Sequence, residues 1–293
     1  ALFGNQDPDE QDAVFVIDGQ RRVIVATNIA ETSLTIDGVR HVIDSGYIKQ
    51  TVYRNPAMSA LQVTDHSKAG CEQRRGRAGR TAPGICHRLM RYDDFQDRPA
   101  HTTPELLRIS LDAVLLQLRC LGYSMEKILG LEFPDPPGED RWREAEARLR
   151  TFGALDDESA VTEDGRLMNR LPISPMLGRM ILAGVERGCV KEMATIVAFE
   201  AARSVMLRGR TDEDKELASM RQAAFKHPSG DVLTYIRIWN AYAAKRQDPE
   251  SRWWEWAKQN YLSSKALNEI DRARREILYR LEGERYKGKR IQI

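Results

Sequence analysis

Residues 73–80, Gln-Arg-Arg-Gly-Arg-Ala-Gly-Arg, constrain this chain more than any other stretch. Read as a helix, Gln73, Gly76, Arg77 and Arg80 fall at i, i+3, i+4 and i+7 and share one face. On an ordinary amphipathic helix that face is apolar and packs into the core. Here it carries two guanidiniums, an amide and a glycine that lets another surface come close. A face of this kind gives up core burial for forked cations and suits a concentrated anion, and a polyphosphate fits. Arg74 and Arg75 lie off that face and read as solvent-exposed.

The 293 residues suffice for about two domains or several small ones. A formal net charge of +2 excludes a tail-like polycation, so nucleic-acid binding must come from local patches. Cys71, Cys86, Cys120 and Cys189 are scattered, with no CxxC pair and no Cys/His cluster. Neither a zinc site nor a disulfide framework is expected, and no metal ligand is assigned. The thiols read as single buried groups in a reducing compartment. The apolar runs are too short to span a bilayer, and the N-terminus lacks the basic and long apolar regions of a signal peptide. With no initiator Met, the chain reads as a piece cut from something longer.

Two textures divide the sequence. Up to roughly Met90 it reads as α/β. Val23 to Val25 and Val39 to Ile43 are β-branched runs typical of strands buried in a parallel sheet. Asn28 to Leu34 is compatible with one or two helical turns, followed by a turn at Asp37-Gly38. Lys49 to Arg54 and Ser59 to Thr64 read as strands of a hairpin that turns at Asn55-Pro56. Ser67 is a natural N-cap for the helix carrying the arginines, Pro83-Gly84 marks its exit, and Ile85 to Met90 is a further strand. Beyond Tyr92 the texture is helical: Pro104 to Leu121, Arg141 to Phe152, Met176 to Arg187, Lys191 to Ala202, Asp231 to Ala244, and Trp253 to Leu281 with a break near Leu262-Ser263. Gly153 to Asp156, then Val161-Thr162 to Gly165-Arg166, reads as a short hairpin after two helices and suggests a small winged-helix unit. Lys287 to Arg290 reads as a short basic tail.

The stretch from Val25 to Gly38 begins where a buried strand should end, which is where open α/β sheets bind ligands. Thr27, Asn28, Ser33 and Thr35 offer uncharged donors and acceptors suited to phosphate or ribose contacts. Asp37 is acceptor-only when ionised, so ribose hydroxyls are its natural partners. On residue types alone, a capped helix start followed by a turn explains the stretch equally well. For Gln73 to Arg80 the anion reading is the stronger one, because an Arg aimed at a γ-phosphate stabilises charge that develops during phosphoryl transfer.

Ala26 to Gly38 resembles motif V of the DEAH-box RNA helicases, and Gln73 to Arg80 resembles their motif VI, matching QxxGRxGR at every fixed position. Phe133-Pro134 with Pro136-Pro137, then Leu149 to Asp156, resembles the family's winged-helix region. Leu171 to Pro175, Gly230 to Thr234 and Asn260 to Ser263 resemble landmarks of its helical bundle. The resemblance implies a partial α/β RecA-like lobe of the P-loop NTPase type, followed by mainly α winged-helix and helical-bundle domains. It divides the chain at residues 1–93, 94–170 and 171–293. It also implies an ATP-dependent RNA helicase moving 3′ to 5′, in which Arg77 and Arg80 reach the γ-phosphate. Arg80 is the first choice for the arginine finger, and Gln73 lies close to the γ-phosphate and the attacking water.

By the same resemblance Thr35, Asp37 and Gly76 contact the nucleotide, and Phe15, preceded by Gln11, stacks on adenine. From the residues alone Phe15 reads as core. Thr27, Asn28 and Ser33 hold the RNA backbone, and the Lys49 to Thr64 hairpin wedges between the two lobes and the nucleic acid. The cofactors implied are ATP and Mg2+, with the magnesium ligands in a first lobe. The sequence contains neither GxxxxGKS/T nor an Asp-Glu-x-His stretch, so this chain is expected not to hydrolyse ATP alone. The implied partners are single-stranded RNA in a channel and an activating protein, in a monomeric, non-membrane protein that is cytoplasmic or, alternatively, nuclear. Competing readings are a non-catalytic RNA-binding scaffold and a DNA-directed helicase. Trp253, Trp254 and Trp256 suit base stacking, but Trp253 and Trp256 share a face with Asn260 and read first as core. Arg203, Arg208 and Arg210 are weaker phosphate contacts.

Overall fold

A computed structural model describes residues 2, 12–16, 19, 21–31, 35–55, 58–202, 204–209 and 211–293. It contains two compact units, residues 1–110 with 134–136 and residues 111–133 with 137–293.

The first unit is α/β. Strand β1 (His41–Asp44) pairs in parallel with β4 (Ile85–Arg88), with His41 opposite Ile85 and Asp44 opposite Arg88. Helix α1 (Lys68–Ala78) packs on this pair. Along β1 Val42 is half-buried and Asp44 buried, whereas His41 and Ile43 are exposed. The expected two-sided burial is therefore a one-sided alternation, because among the described residues only one face is covered. Val23 to Val25 is not a strand. Val23 is 87% and Val25 71% exposed. A parallel strand needs a ladder along its length; here, among the described residues, the backbone forms one bridge, to Leu2, through Leu2 N–H to Val25 O at 2.8 Å and Thr27 N–H to Leu2 O at 3.0 Å. The hairpin is formed as expected, by β2 (Tyr47–Asn55) and β3 (Met58–Asp65), antiparallel with Tyr47 opposite Asp65. Pro56 of the expected turn lies outside the described residues. Arg98 closes the hairpin's base: it is buried, donates to the Gly46 carbonyl and to the His66 carbonyl at 3.0 Å, and reaches Asp65 at 3.1 Å. Gly46 has φ +74°, and a Cβ there would fall 2.4 Å from Met90 Cε. After β4, a short helix α2 (Tyr92–Gln96) places Phe95 under the Arg88 guanidinium.

The second unit is helical. Helices α3 (Asp112–Cys120) and α5 (Glu139–Thr151) are joined by Arg148, whose guanidinium lies 2.8 Å from the largely buried Asp112 carboxylate. Between them runs α4 (Met125–Leu129), capped by Ser124. The hairpin expected from 153–156 and 161–166 is reduced to one antiparallel bridge between them, Leu155 to Val161. Thr162 instead caps α6 (Glu163–Arg170), accepting the Gly165 N–H at 2.9 Å. A cap hydroxyl followed by two carboxylates at a helix N-terminus outweighs the strand reading there.

Next come α7 (Pro175–Glu186), capped by Ser174 with Pro175 in its first turn, and α8 (Val190–Ala201). Helix α8 is buried almost throughout and packs against α7, α10 (Asp231–Gln247) and α12 (Ser264–Leu281). Helix α9 (Asp212–Ala223) escapes the sequence pattern because Ala218 is its only buried residue. Helix α11 (Trp253–Gln259) ends before the break expected near Leu262, and Ser263 caps α12. Phe199, Phe225, Ile238, Tyr242, Leu262, Leu267 and Ile270 form the core of this bundle.

The basic stretch at 287–290 is not a tail. It belongs to a hairpin of β5 (Arg285–Tyr286) and β6 (Lys289–Arg290), anchored by the buried Tyr286 and Ile291. The Tyr286 hydroxyl donates to Glu186 at 2.8 Å, and Lys287 Nζ lies 2.6 Å from the same carboxylate. Hydrogen bonds from Lys287 and Tyr286 pull the Glu186 pKa down from 4.5 to about 2.

Two outcomes follow from these packings. Ile238 is fully buried, so Ile238→Ala costs about 2–5 kcal/mol in urea denaturation. A carboxylate with a lowered folded-state pKa contributes stability above its unfolded value and loses it as pH falls through the folded one. Thermal melts from about pH 4.5 down to about pH 2 should therefore show a steeper loss in the parent chain than in Glu186→Gln.

Candidate active site

Helix α1 starts where Ser67 accepts the Gly70 N–H at 3.1 Å, and Ser67 is itself 3.0 Å from the Thr102 hydroxyl. Gly70 is required by packing: a Cβ there would lie 2.0 Å from the buried His66 ring. One turn further along, Arg74 turns inward. Its Nη2 and Nε lie 2.5 and 2.6 Å from Glu31 Oε1, and its Nη1 is 2.7 Å from Asp44 Oδ1. The Arg74 side chain is only 17% exposed and that of Asp44 is fully buried. Arg74 is therefore not the solvated residue that its place off the Gln73 face suggests. Arg75 is, at 66% side-chain exposure, paired with Glu72 on its own helix.

Burial alone would raise the Asp44 pKa, but hydrogen bonds from Arg74 and from the Gly46 N–H, at 2.9 Å, hold it below the usual carboxylate value. For His66 burial dominates and lowers the pKa, although Glu31 Oε2 lies 3.3 Å from its Nε2. Buried charges cost several kcal/mol each unless the pairing geometry is good. The Arg74 fork supplies that geometry by meeting two carboxylates from different segments.

The four motif residues on and after α1 turn outward. Gln73 and Gly76 are exposed, and no atom lies within 4 Å of where a Gly76 Cβ would stand, so this side is open to approach. Arg77 is half-buried and donates from Nη2 to the Glu31 carbonyl. The helix ends at Ala78, with Gly79 as its C-cap, earlier than the Pro83-Gly84 exit expected. Arg80 is thus carried by the turn beyond the helix rather than by its i+7 position. A glycine is a poor helix residue, and the chain must turn here to bring Ile85 N–H to Arg40 O at 2.8 Å. Arg80 Nη1 donates to the Thr35 hydroxyl. Burial and then the charge of Arg80 lower the Arg77 pKa. Two neighbouring cations at an open surface raise the local positive potential, which favours an approaching anion.

A cleft of about 850 Å3 in this unit is lined by Thr27, Asn28, Asp37, Arg77 and Arg80 among others. It gathers five of the residues singled out from the sequence. Thr27 and Asn28 are exposed at the start of a 3-10 turn, Asn28–Glu31, and Asp37 is exposed in the turn closed by Gly38 at φ +79°. Gln73, Gly76, Thr35 and Phe15 do not line the cleft. Phe15 lies in a 3-10 turn, Ala13–Phe15, and is 39% exposed, which overturns its reading as core; its neighbours Val14 and Val16 border the cleft. Ser33 and Gln11 lie outside the described residues, as do Arg203 and Arg210; Arg208 is exposed.

Trp253 and Trp256 pack on the bundle core, Trp256 edge-on to Phe225 at 6.0 Å, while Trp254 is half exposed. Among the described residues no group of three or more His, Cys, Asp or Glu could hold a metal, and no helix is long and apolar enough to cross a membrane.

Sequence reasoning missed Glu31, Asp44 and His66 and misplaced Arg74. The one available signal was an acidic residue closing the apolar run of β1, since a carboxylate buried at a strand end needs a cation.

Comparison with protein families accounts for this arrangement. Residues 2–82 match the helicase conserved C-terminal domain, residues 145–173 the winged-helix part of the helicase associated domain (HA2), and residues 174–235 its ratchet-like part. In that order these are the C-terminal architecture of the DEAH/RHA helicases, and the chain belongs to that family. The first unit accordingly contains part of a RecA-like lobe, followed in the chain by winged-helix and helical-bundle domains, and membership implies nucleic-acid binding.

Removing Arg74 leaves Glu31 and Asp44 without their cation. Arg74→Ala should lower the opening free energy of the α1 amides by about 3–5 kcal/mol in native-state hydrogen exchange. Arg75→Ala should change it by less than about 0.5 kcal/mol.

Proposed function

We propose that this chain is the arginine-bearing part of an ATP-dependent RNA helicase of the DEAH-box type, which couples ATP hydrolysis to 3′-to-5′ movement on RNA. The observation that supports this best is the placement of Arg77 and Arg80, mutually repelling, on the same cleft as Thr27 and Asn28. A γ-phosphate relieves the repulsion between the two guanidiniums. Arg80, in the turn after α1, is the more exposed of the pair and is the arginine finger; Arg77, tied to the Glu31 carbonyl, is the more fixed. Gln73 and Gly76 flank the open approach, with Gln73 oriented to the attacking water. Thr35, Asp37 and the exposed ring of Phe15 contact the nucleotide. Thr27 and Asn28 hold the backbone of a single-stranded RNA segment through uncharged groups that do not read bases.

The residues here fit a polyphosphate, no group of three or more His, Cys, Asp or Glu that could hold a metal occurs among the described residues, and the sequence lacks the phosphate-cradling and Asp-Glu-x-His motifs. This chain then acts on ATP held chiefly by another lobe, and Mg2+ belongs with that lobe. Binding of ATP draws the two lobes together, and release of its products lets them part.

The test is steady-state ATPase of the full-length protein with and without single-stranded RNA. Arg80→Ala should lower RNA-stimulated kcat by about 1,000-fold or more, with RNA affinity within about twofold of the parent because a phosphate-directed guanidinium does not grip the strand. Near-normal turnover in that variant would remove the finger assignment and favour a non-catalytic RNA-binding scaffold.

A further inference from the structure

We infer that Glu31 is a positioning residue that couples the RNA-contacting turn to the arginine pair, so that RNA stimulation of ATP turnover passes through its carboxylate. The inference rests on the helicase reading above.

Glu31 closes the 3-10 turn Asn28–Glu31, in which the Ala30 N–H bonds back to the Thr27 carbonyl at 3.2 Å. Thr27, Asn28 and Glu31 are therefore parts of one hydrogen-bonded element. Two groups of Glu31 face α1. Its carboxylate meets Arg74 at 2.5 Å, with the His66 ring 3.3 Å away on the other oxygen. Its carbonyl accepts from Arg77 Nη2. A strand pressing on Thr27 and Asn28 thus moves the acceptor of Arg77 directly, and the largely buried ion pair to Arg74 resists that movement more stiffly than a solvated pair would.

The same geometry separates coupling from folding. Arg74 has a second carboxylate, the fully buried Asp44 at 2.7 Å, which lies on β1 and is braced by the Gly46 N–H at 2.9 Å. The Arg74–Asp44 pair holds α1 to the sheet. The Glu31 carboxylate adds a tie from α1 to the turn. Loss of Glu31 alone leaves Arg74 charged and paired, with the helix still seated. Loss of that tie leaves the turn joined to α1 through the Arg77 bond to the Glu31 carbonyl, so the strand sets less stiffly where Arg77 and its neighbour Arg80 stand. Neither Glu31 nor Arg74 needs to touch RNA or nucleotide for this effect.

The experiment uses the full-length protein and a single-stranded oligouridylate. Three quantities are read: the ratio of kcat with RNA to kcat without it, the ATP KM in each condition, and the RNA Kd by fluorescence anisotropy. Glu31→Ala should lower the kcat ratio about tenfold, while RNA Kd and ATP KM stay within about threefold. Glu31→Gln keeps the length and one acceptor for Arg74 but not the charge, and should lower the ratio only about threefold. A ratio that stays at the parent value in both variants overturns the inference. So does a fall that RNA Kd matches, because the loss is then one of binding. Where melting shows Glu31→Ala to be unfolded, Glu31→Gln decides by itself: a threefold fall supports the coupling and an unchanged ratio removes it. A parent protein without RNA-stimulated ATPase, or an Arg80→Ala variant that retains it, fails the helicase reading. With those two controls as expected, an unchanged ratio in the Glu31 variants fails the coupling alone.

Discussion

The Arg74 guanidinium, held between the carboxylates of Glu31 and Asp44, is the interaction on which the first unit depends. It brings three segments far apart in sequence to one point: the turn after Ala26, the end of β1 and the middle of α1. Each charge would be expensive alone at such depth, and together they are tolerated because a planar fork satisfies two carboxylates at once. With Arg74 turned inward, the helical repeat carries Gln73 and Gly76 outward and Arg77 to the half-buried edge beside Glu31. The inward arginine is what allows the outward ones to be presented, since it seats the helix without an apolar stripe.

The helical unit is held together on different terms. Helix α8 is buried on nearly every side and serves as the axis around which α7, α10 and α12 pack. Charged groups act at the periphery, where Arg148 joins α3 to α5 and where Glu186 gathers Tyr286 and Lys287 from the terminal hairpin. Apolar burial is non-directional and sets how much these helices associate; the ion pairs and caps set where each one starts, ends and aligns.

Much of the architecture was legible because local rules and the final structure agree. Ser67 announces a helix start and is observed as its cap. The hairpin of β2 and β3 and the break before α12 stand where alternation and turn residues place them. The misreadings share one cause, which is that burial is a property of neighbours rather than of residues. Val23 and Val25 look like core and are exposed, because among the described residues only Leu2 bonds to this segment's backbone across a bridge. Phe15 looks like core and is exposed. Arg74 looks like surface and is largely buried, its side chain 17% exposed. Helix α9 has too narrow an apolar stripe to be seen, and the basic segment at 287–290 is pinned by Tyr286 and Ile291 on either side of its charges.

The sequence by itself determined the family, the exposure of Gln73 and Gly76, and the residue types offered at the candidate site, because these depend on residue type and on spacing along the chain. Only the tertiary structure decided that α1 stops at Ala78 and hands Arg80 to a turn, that Thr27, Asn28, Asp37, Arg77 and Arg80 share one cleft, and that Glu31 joins the turn to the helix. Those are statements about distance between segments separated by some forty residues. No local propensity encodes such distances; they follow from where the buried charges find their partners.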